Sequence, residues 1–388
     1  MIRQTWRLID WSPTVSQLLQ PANVAPIKPQ LAQQNLFIAQ RAGPSHTSFD
    51  ELSAPVVTNG LKLRASAVTG SNGIEGDDIS LAGLHDRLSY SIGHYGFETD
   101  GFRDNNDLTQ HAANAFLQYR PSLDTSLQVE LRSARVDHGD LTTYFNRDLY
   151  SELLRFEDDA DSLRLGAKHE LTPRHTLLGS LILQDASSNL TAEDVFALQV
   201  ESNAYNIDLQ DILRTPSMTV QSGLVAAQSD EITQSSLFGP PTVAPSVIGT
   251  EETNRQLGLY SYVTFHPAPT LTVTAGASLD AVEIGTAEEN AVNPKVGLTW
   301  RPTARTTVRA AALDTLYNDL TTSSLNAQPR LEPVQVAGFT QFLLRGGRGD
   351  QATVRGVAID HELSPDLFVG WQADSRRTER IGTAPFGA

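Results

Sequence analysis

Apolar and polar residues alternate one by one along many segments of this chain. In residues 257–265 the odd positions hold Leu, Leu, Ser, Val and Phe, while the even positions hold Gly, Tyr, Tyr and Thr. The same period of two recurs at 127–132, 163–170 and 271–280. Because successive side chains of a β-strand point to opposite faces, each segment predicts a strand with one apolar and one polar face.

The length of these segments indicates where such strands could lie. They run for about 9–13 residues, whereas strands of soluble proteins average about 5–6 residues. A tilted strand that crosses a bilayer needs roughly 9–11 residues. A soluble β-sandwich is the alternative, but it would need shorter strands with a turn every 8–12 residues or so. The sequence therefore favours membrane-spanning strands.

A proline stands between two alternating segments at six places, namely at positions 121, 173, 216, 267, 302 and 365. Proline fixes φ and donates no hydrogen bond, which suits a short connection between strands. The connections at the opposite end are expected to be long and polar, at 99–107, 137–160, 185–194, 229–254, 283–293 and 314–331. Short turns at one end and long loops at the other are typical of outer-membrane barrels.

Three aromatic residues precede these prolines by two positions: Tyr119, Phe265 and Trp300. Aromatic side chains concentrate where a barrel wall meets the membrane interface. We therefore expect the three to belong to an aromatic girdle at the end of the short turns.

The fold prediction is all-β, an antiparallel transmembrane β-barrel of about 14–16 strands, either complete or truncated. Two strands flank each proline, three more are expected at 61–69, 78–84 and 87–98, and one further candidate lies at 333–343. Residues 1–59 contain many prolines and no sustained period, so they are predicted to be an irregular N-terminal segment before a barrel at 60–388. Closure matters, because open strand edges are costly in lipid.

Composition excludes several classes of function. The chain has no cysteine, which excludes disulfides, thiolate metal sites and a cysteine nucleophile. A net charge of −16 and the lack of a basic stripe argue against a nucleic-acid partner. No nucleophile elbow, phosphate-binding loop or HExxH motif occurs, so we predict neither an enzyme nor a cofactor.

The polar faces of the predicted strands carry charged residues that would line the interior of a barrel. These lumen-lining candidates are Glu130, Arg132, Arg164, Lys168, Glu170, Asp280, Lys295, Arg309 and Arg355. Such a ring of mixed charge could determine which solute passes. The equally weighted alternative is that the charges pair with one another and only keep the interior wet.

Two acidic clusters are candidate cation sites. Asp100, Asp104 and Asp107 carry oxygen ligands of the kind that Ca²⁺ prefers. Their spacing is not that of an EF-hand and Arg103 lies among them, so a solvated polar loop is favoured over a metal site. The acidic run within 157–161 is likewise better explained by solvation than by cation binding.

Four stretches carry a resemblance to a known family: 87–108, 161–186, 293–316 and 331–343. They resemble the barrel of TonB-dependent-receptor-like outer-membrane proteins, and most closely the barrel part of outer-membrane proteins with tetratricopeptide repeats. The resemblance implies a location in the bacterial outer membrane and brings no catalytic residues. The plug domain of a TonB-dependent receptor would not fit into residues 1–59, and no repeats are visible either. A lost N-terminal plug or repeat region is therefore one expected partner of this barrel.

The predicted function is that of a porin-like conduit or transporter that moves a solute or polymer across the outer membrane, in contact with membrane lipid. The barrel part of a TonB-coupled receptor is the alternative, and a soluble β-sandwich binding protein is a more distant one. The sequence does not identify the solute.

Overall fold

The computed structural model describes residues 59–141, 150–238, 246–316, 331–333, 335–340, 349–364 and 367–379. All regular secondary structure in these ranges is β. No helix among them is long and apolar enough to cross a membrane. The strands are β1 (Gly60–Thr69), β2 (Glu75–His85), β3 (Leu88–Thr99), β4 (Leu108–Tyr119), β5 (Thr125–His138), β6 (Leu154–Thr172), β7 (His175–Ala192), β8 (Phe196–Arg214), β9 (Met218–Leu237), β10 (Ser246–Ala268), β11 (Leu271–Ile284), β12 (Ala287–Thr303), β13 (Thr306–Leu316), β14 (Gln335–Val336), β15 (Phe339–Thr340), β16 (Gln351–Ser364) and β17 (Leu367–Glu379).

Fifteen strands form one sheet in which each strand pairs with its neighbours along the chain. The order runs from β1 to β13 and continues with β16 and β17, and every pairing is antiparallel. This up-and-down order is that of a β-barrel wall. The all-β antiparallel prediction is confirmed, and the strand number falls within the predicted 14–16. Among the described residues, β1 and β17 each pair on one side only.

The prediction of a wall strand at 333–343 was wrong. Strands β14 and β15 form a separate two-stranded sheet of two residues each. Ala337 and Gly338 connect them with φ values of 49° and 84°. Two central residues with positive φ make a tight hairpin turn, so the chain reverses after two residues instead of continuing along the wall.

The short connections lie where the proline pattern predicts them. At the opposite end, two of the predicted long connections are shorter than expected. Pro121, Pro173 and Pro216 lie between consecutive strands, and Pro267 and Pro302 lie within the last residues of theirs. Pro365 falls between β16 and β17, outside the described residues. The predicted connection 185–194 is reduced to the few residues between β7 and β8, and the predicted connection 283–293 to those between β11 and β12. Polar side chains do not interrupt the backbone ladder, so the strands continue beyond the alternating segment.

The sheet has an exposed apolar face and a buried face. On β12, Val292 and Val296 are 67% and 50% exposed, while Asn293 and Lys295 between them are 3% exposed. We call the face of Asn293 and Lys295 the inner face and the opposite one the outer face. An apolar face of this extent is what a barrel presents to lipid. A soluble sandwich would bury this face, and the exposure of Leu257 argues against it.

The apolar band of the outer face has a sharp edge at the end of the long connections. On β10 the outer face changes from Leu257 to Arg255, which forms an ion pair of 3.3 Å with Glu283 of β11. On β6 the change is from Leu163 to Asp161. The apolar band therefore ends where polar side chains can reach water and lipid headgroups.

We predict that a charge in the middle of this band destabilises the protein far more than a charge beyond its edge. Val296→Arg should lower the free energy of unfolding by about 2–4 kcal/mol, because the guanidinium would face the bilayer midplane. The matched change Asn290→Arg, on the outer face of the same strand, should cost about 0–1 kcal/mol. Urea unfolding in lipid vesicles measures both, and equal losses would contradict the orientation of the sheet.

Candidate functional site

The inner face collects the charged residues that sequence alternation predicts for the interior. Eight of the nine candidates lie there, as shown by their position in the strand registers: Glu130, Arg132, Arg164, Lys168, Glu170, Asp280, Lys295 and Arg309. Five of these are among the buried charged residues of the sheet: Glu130, Arg132, Arg164, Asp280 and Lys295. The structure brings them together as a polar inner wall.

Arg355 is placed differently from the prediction. It is exposed and lies on the outer face with Val357 and Ile359, at the edge of the apolar band. The neighbouring positions Val354 and Ala358 face inward and are buried. Because apolar residues occupy both faces of β16, alternation could not show which face Arg355 takes.

A buried ion pair lies on the inner face of β5 and β6. Arg164 Nη1 is 3.6 Å from Glu130 Oε2, and the two side chains are 3% and 4% exposed. Nearby on the same face, the buried side-chain amides of Gln128 and Asn206 have no hydrogen-bond partner within the described part of the chain. This part of the wall therefore combines a charge pair with unused hydrogen-bonding groups.

A second polar cluster surrounds Asp280 on β11. Its carboxylate accepts hydrogen bonds from Gln256 (3.2 Å), Ser278 (2.7 Å) and Asn293 (2.7 Å). All four side chains are buried on neighbouring strands. Three neutral donors hold the carboxylate in place and leave its negative charge on the inner face.

Residues of the connection between β13 and β16 lie against the inner wall. We call residues 331–333 the arm and residues 335–340 the hairpin. Glu332 of the arm accepts hydrogen bonds from Lys295 Nζ at 2.6 Å and from the Tyr262 hydroxyl at 2.5 Å. Lys295 also lies 4.9 Å from the centre of the Tyr262 ring. The predicted lumen residue Lys295 thus holds a carboxylate of its own chain.

The wall also holds the backbone of the arm. The Leu331 N–H donates to Asp208 Oδ2 at 2.6 Å, and Gln210 Nε2 donates to the Leu331 carbonyl at 2.8 Å. Tyr260 links the two wall residues, since its hydroxyl donates to Asp208 at 3.2 Å and accepts from Gln210 at 3.2 Å. The Leu331 side chain packs on Leu178 and Ile212.

The hairpin fits two glycine positions of the wall. A Cβ atom on Gly297 would collide with Val336, and a Cβ atom on Gly356 would collide with the Phe339 ring. Val336 and Phe339 share a buried apolar cluster with Leu313, Val354 and others on β13 and β16. These glycines allow Val336 and Phe339 to approach the wall more closely than a wall side chain would permit.

Two further ion pairs lie on the inner face nearer the short turns. Lys168 Nζ is 2.6 Å from Glu170, and Arg309 Nη2 is 3.0 Å from Asp360. The Glu170 and Asp360 side chains are partly exposed, so these pairs contribute little to stability. The structure therefore pairs several of the predicted lumen charges with one another.

Tyr119, Phe265 and Trp300 all lie on the outer face at the end of the short turns. Each is exposed, and Trp300 pairs in register with Leu271 directly beside the turn. This position is the one that an aromatic girdle requires, and membership of such a girdle stays a prediction.

The loop with Asp100, Asp104 and Asp107 does not gather a metal site. Within the described ranges, no group of three or more His, Asp or Glu residues could hold a metal ion. Asp107 is instead bound by Arg155 at 2.6 Å, and Arg155 also pairs with Asp137. Partial burial lowers the pKa of the Arg155 guanidinium, but the hydrogen bond to Asp107 and the charge of Asp137 outweigh it and raise that pKa overall.

The acidic run within 157–161 belongs to β6 instead of a loop tip. Asp159 and Asp161 lie on the outer face beyond the apolar band, and Asp159 is 3.3 Å from Arg135 of β5. The run therefore forms part of the polar end of the outer face.

Sequence reasoning missed Asp208, Gln210, Tyr260, Tyr262 and Glu332. Tyr260 and Tyr262 occupy the polar side of an alternating segment, so alternation gave their face but not their role. Asp208 and Gln210 lie in a strand that was predicted only from the turn at Pro216. Glu332 lies between the predicted connection 314–331 and the candidate strand 333–343, so neither prediction included it. No sequence signal marked the role of Glu332, because a proline at position 333 is tolerated as the first residue of a strand.

We predict that Glu130 and Arg164 stabilise the fold only as a pair. Glu130→Gln should lower the free energy of unfolding by about 3–5 kcal/mol, because it leaves the buried guanidinium without its counter-charge. A double-mutant cycle with Arg164→Gln should give a coupling energy of about 0.5–3 kcal/mol. Urea unfolding in lipid vesicles measures this, and a coupling energy of zero would show that the two charges act independently in a wet lumen.

We also predict that the hairpin can be linked to the wall by a disulfide. Since the natural chain has no cysteine, Gly297→Cys with Val336→Cys introduces the only two thiols. A Cβ atom at 297 would collide with a γ-carbon of Val336. The double variant replaces that branched side chain by a single sulfur, so the two cysteines should lie within reach of a bond. Mild oxidation should remove both thiols from maleimide labelling. The control pair Asn114→Cys with Val336→Cys should stay labelled, and labelling of both pairs would contradict the position of the hairpin.

Comparison with known proteins places the fold in a family. A family model described as "TonB dependent receptor-like, beta-barrel" matches residues 57–339. The copper transporter OprC has a similar structure, with a TM-score of 0.63 at 12% identity over 83% of this chain and 54% of that chain. The ferric yersiniabactin uptake receptor FyuA from Yersinia pestis gives 0.61 at 13% identity over 83% and 55%. The siderophore receptor PiuA from Acinetobacter baumannii gives 0.56 at 10% identity over 82% and 57%.

At these identities the solved structures show the fold alone, and this chain spans about half of their length. No curated protein matches the sequence. The finer resemblance to proteins with tetratricopeptide repeats stays a prediction. The first of these structures is described as a copper transporter and the other two as receptors. The matching family is one of receptor-like barrels, in agreement with the expectation that the protein is not an enzyme. Since the family match covers well over half of the chain, the protein belongs to the TonB-dependent receptor-like β-barrel family of the bacterial outer membrane.

Proposed function

We propose that the protein is the barrel of an outer-membrane transporter that binds a polar solute on its inner face before passing it across. The observation that carries this proposal is the contrast between the two faces of one long sheet. The outer face is apolar and exposed, while the inner face buries charged and amide side chains. A wall of this kind separates lipid from a polar passage.

The hairpin and the arm favour a binding conduit over an open porin. Both lie on the inner face, where they occupy space that a freely open pore would leave to water. Passage of a solute would then require binding and rearrangement at the wall. We therefore favour a receptor-type transporter over an open porin.

The inner face suggests a solute rich in hydrogen-bonding groups. Acidic residues such as Glu130 and Asp280 alternate there with basic residues such as Arg132 and Arg164. Gln128 and Asn206 add amide groups without a partner within the described residues. Mixed charges and amides fit a polar or zwitterionic solute better than an ion of one sign.

Coupling to TonB is the second candidate, and the family match supports it. The matching structures extend well beyond the part that resembles this chain, so a whole receptor holds more than the portion seen here. Under this alternative, a plug encoded next to the barrel would be the partner that TonB engages. The nucleotide sequence on both sides of the reading frame tests it, and adjacent sequence without a plug would remove this candidate.

We predict that removal of an inner-face charge changes the ion selectivity of the purified full-length protein in planar bilayers. Asp280→Asn should shift the permeability ratio towards anions, because it deletes a negative charge from the passage. Asp161→Asn deletes a charge from the outer face and serves as the control without a shift. An equal shift for both variants, or folding as a soluble monomer without detergent, would contradict the proposal.

A further inference from the structure

The arm is held by the wall as a peptide ligand would be held. Asp208 accepts the N–H of Leu331 at 2.6 Å, while Gln210 donates to the carbonyl of the same residue at 2.8 Å. One residue thus has both its backbone donor and its backbone acceptor bound by wall side chains. Such a pair of contacts recognises the peptide bond itself, independently of the side chain.

The next residue of the arm is recognised through its charge. The Glu332 carboxylate lies 2.6 Å from Lys295 Nζ and 2.5 Å from the Tyr262 hydroxyl. The Lys295 and Glu332 side chains are 2% and 4% exposed. Charge-assisted hydrogen bonds of this kind are short and roughly twice as strong as neutral ones, so they select a carboxylate over an amide.

An apolar pocket completes the contact. The Leu331 side chain packs on Leu178 of β7 and on Ile212 of β8, which is fully buried. The wall thus offers three subsites in sequence, for an apolar side chain, for its peptide group and for a following carboxylate.

Contacts within the wall itself hold part of this site in place. Tyr260 bridges Asp208 and Gln210 through its hydroxyl, and the Tyr260 and Tyr262 rings stack with centroids 6.0 Å apart. Gly223 and Gly276 leave room for these two rings, since a Cβ atom at either position would overlap them. Preorganised donors and acceptors of this kind lower the cost of binding a ligand.

We propose that Asp208, Gln210, Tyr262 and Lys295, together with the Leu178–Ile212 pocket, form a binding site for an acidic peptide, and that the arm is its internal occupant. The ligand class is a segment with an apolar side chain followed by a carboxylate side chain. This inference rests on the proposed function, because a solute must first reach the inner face.

The two parts of the connection differ in how they are held. The hairpin is fixed by apolar contacts of Val336 and Phe339, which water cannot replace. The arm is held largely by hydrogen bonds and an ion pair, which a competing peptide can reproduce one for one. A tethered occupant acts at an effective concentration in the millimolar range, so an external peptide must compete with it.

Binding of N-acetyl-Leu-Glu-amide to the purified full-length protein tests the proposal by isothermal titration calorimetry. The variant Glu332→Gln weakens the arm and keeps its shape, so the peptide should bind at least about tenfold more tightly than to the unchanged protein. Leu331→Ala weakens the arm without leaving Lys295 unpaired and should give a gain in the same direction. The matched probe N-acetyl-Leu-Gln-amide should bind at least about tenfold more weakly to both variants.

When Lys295→Met is combined with Leu331→Ala, the gain in affinity for N-acetyl-Leu-Glu-amide should disappear, because the carboxylate subsite is lost. Equal affinity of the unchanged protein and both arm variants, or equal affinity for the two peptides, would overturn the proposal. The conductance experiment separates this result from the proposed function. A protein that conducts ions but binds neither peptide refutes only the site, whereas one that binds the peptide without conducting refutes only the conduit.

Discussion

The backbone ladder of the fifteen-stranded sheet is the constraint on which the rest of the structure depends. In lipid every N–H and C=O group must find a partner within the protein, and an antiparallel sheet meets this demand for each strand that pairs on both sides. The registers run without a break along most of the strands, even where they extend beyond the apolar band. Once the ladder fixes the register, the alternation of side chains decides which residues face lipid and which face the interior.

Much of this could be predicted from the sequence, because period-two alternation is a direct consequence of the ladder. The outer-face row of Leu257 and the inner-face position of Lys295 both follow from it, as do the turns at Pro121 and Pro173. The family could also be predicted, since alternation and short proline turns occur in the same segments that carry the resemblance.

The remaining features depend on contacts between distant parts of the chain. Arg355 was assigned to the wrong face because Val354 and Ala358 are apolar on the inner side as well, where the hairpin covers them. The role of Asp208 could not be predicted, because its partner Leu331 lies 123 positions away. The inner face therefore holds a segment of its own chain, which is the observation behind the proposal that the polar wall is a binding surface as well as the lining of a passage.

The central claim is that alternate residues of one strand face lipid and the polar interior. Because the chain has no cysteine, single cysteines with a nitroxide label can be placed along β12 one at a time. Labels at positions 292, 296 and 298 should be relaxed by lipid-soluble oxygen, and those at 293 and 295 should be shielded from it. A period of two in oxygen accessibility in that phase supports the account, whereas the opposite phase or no period at all would contradict it.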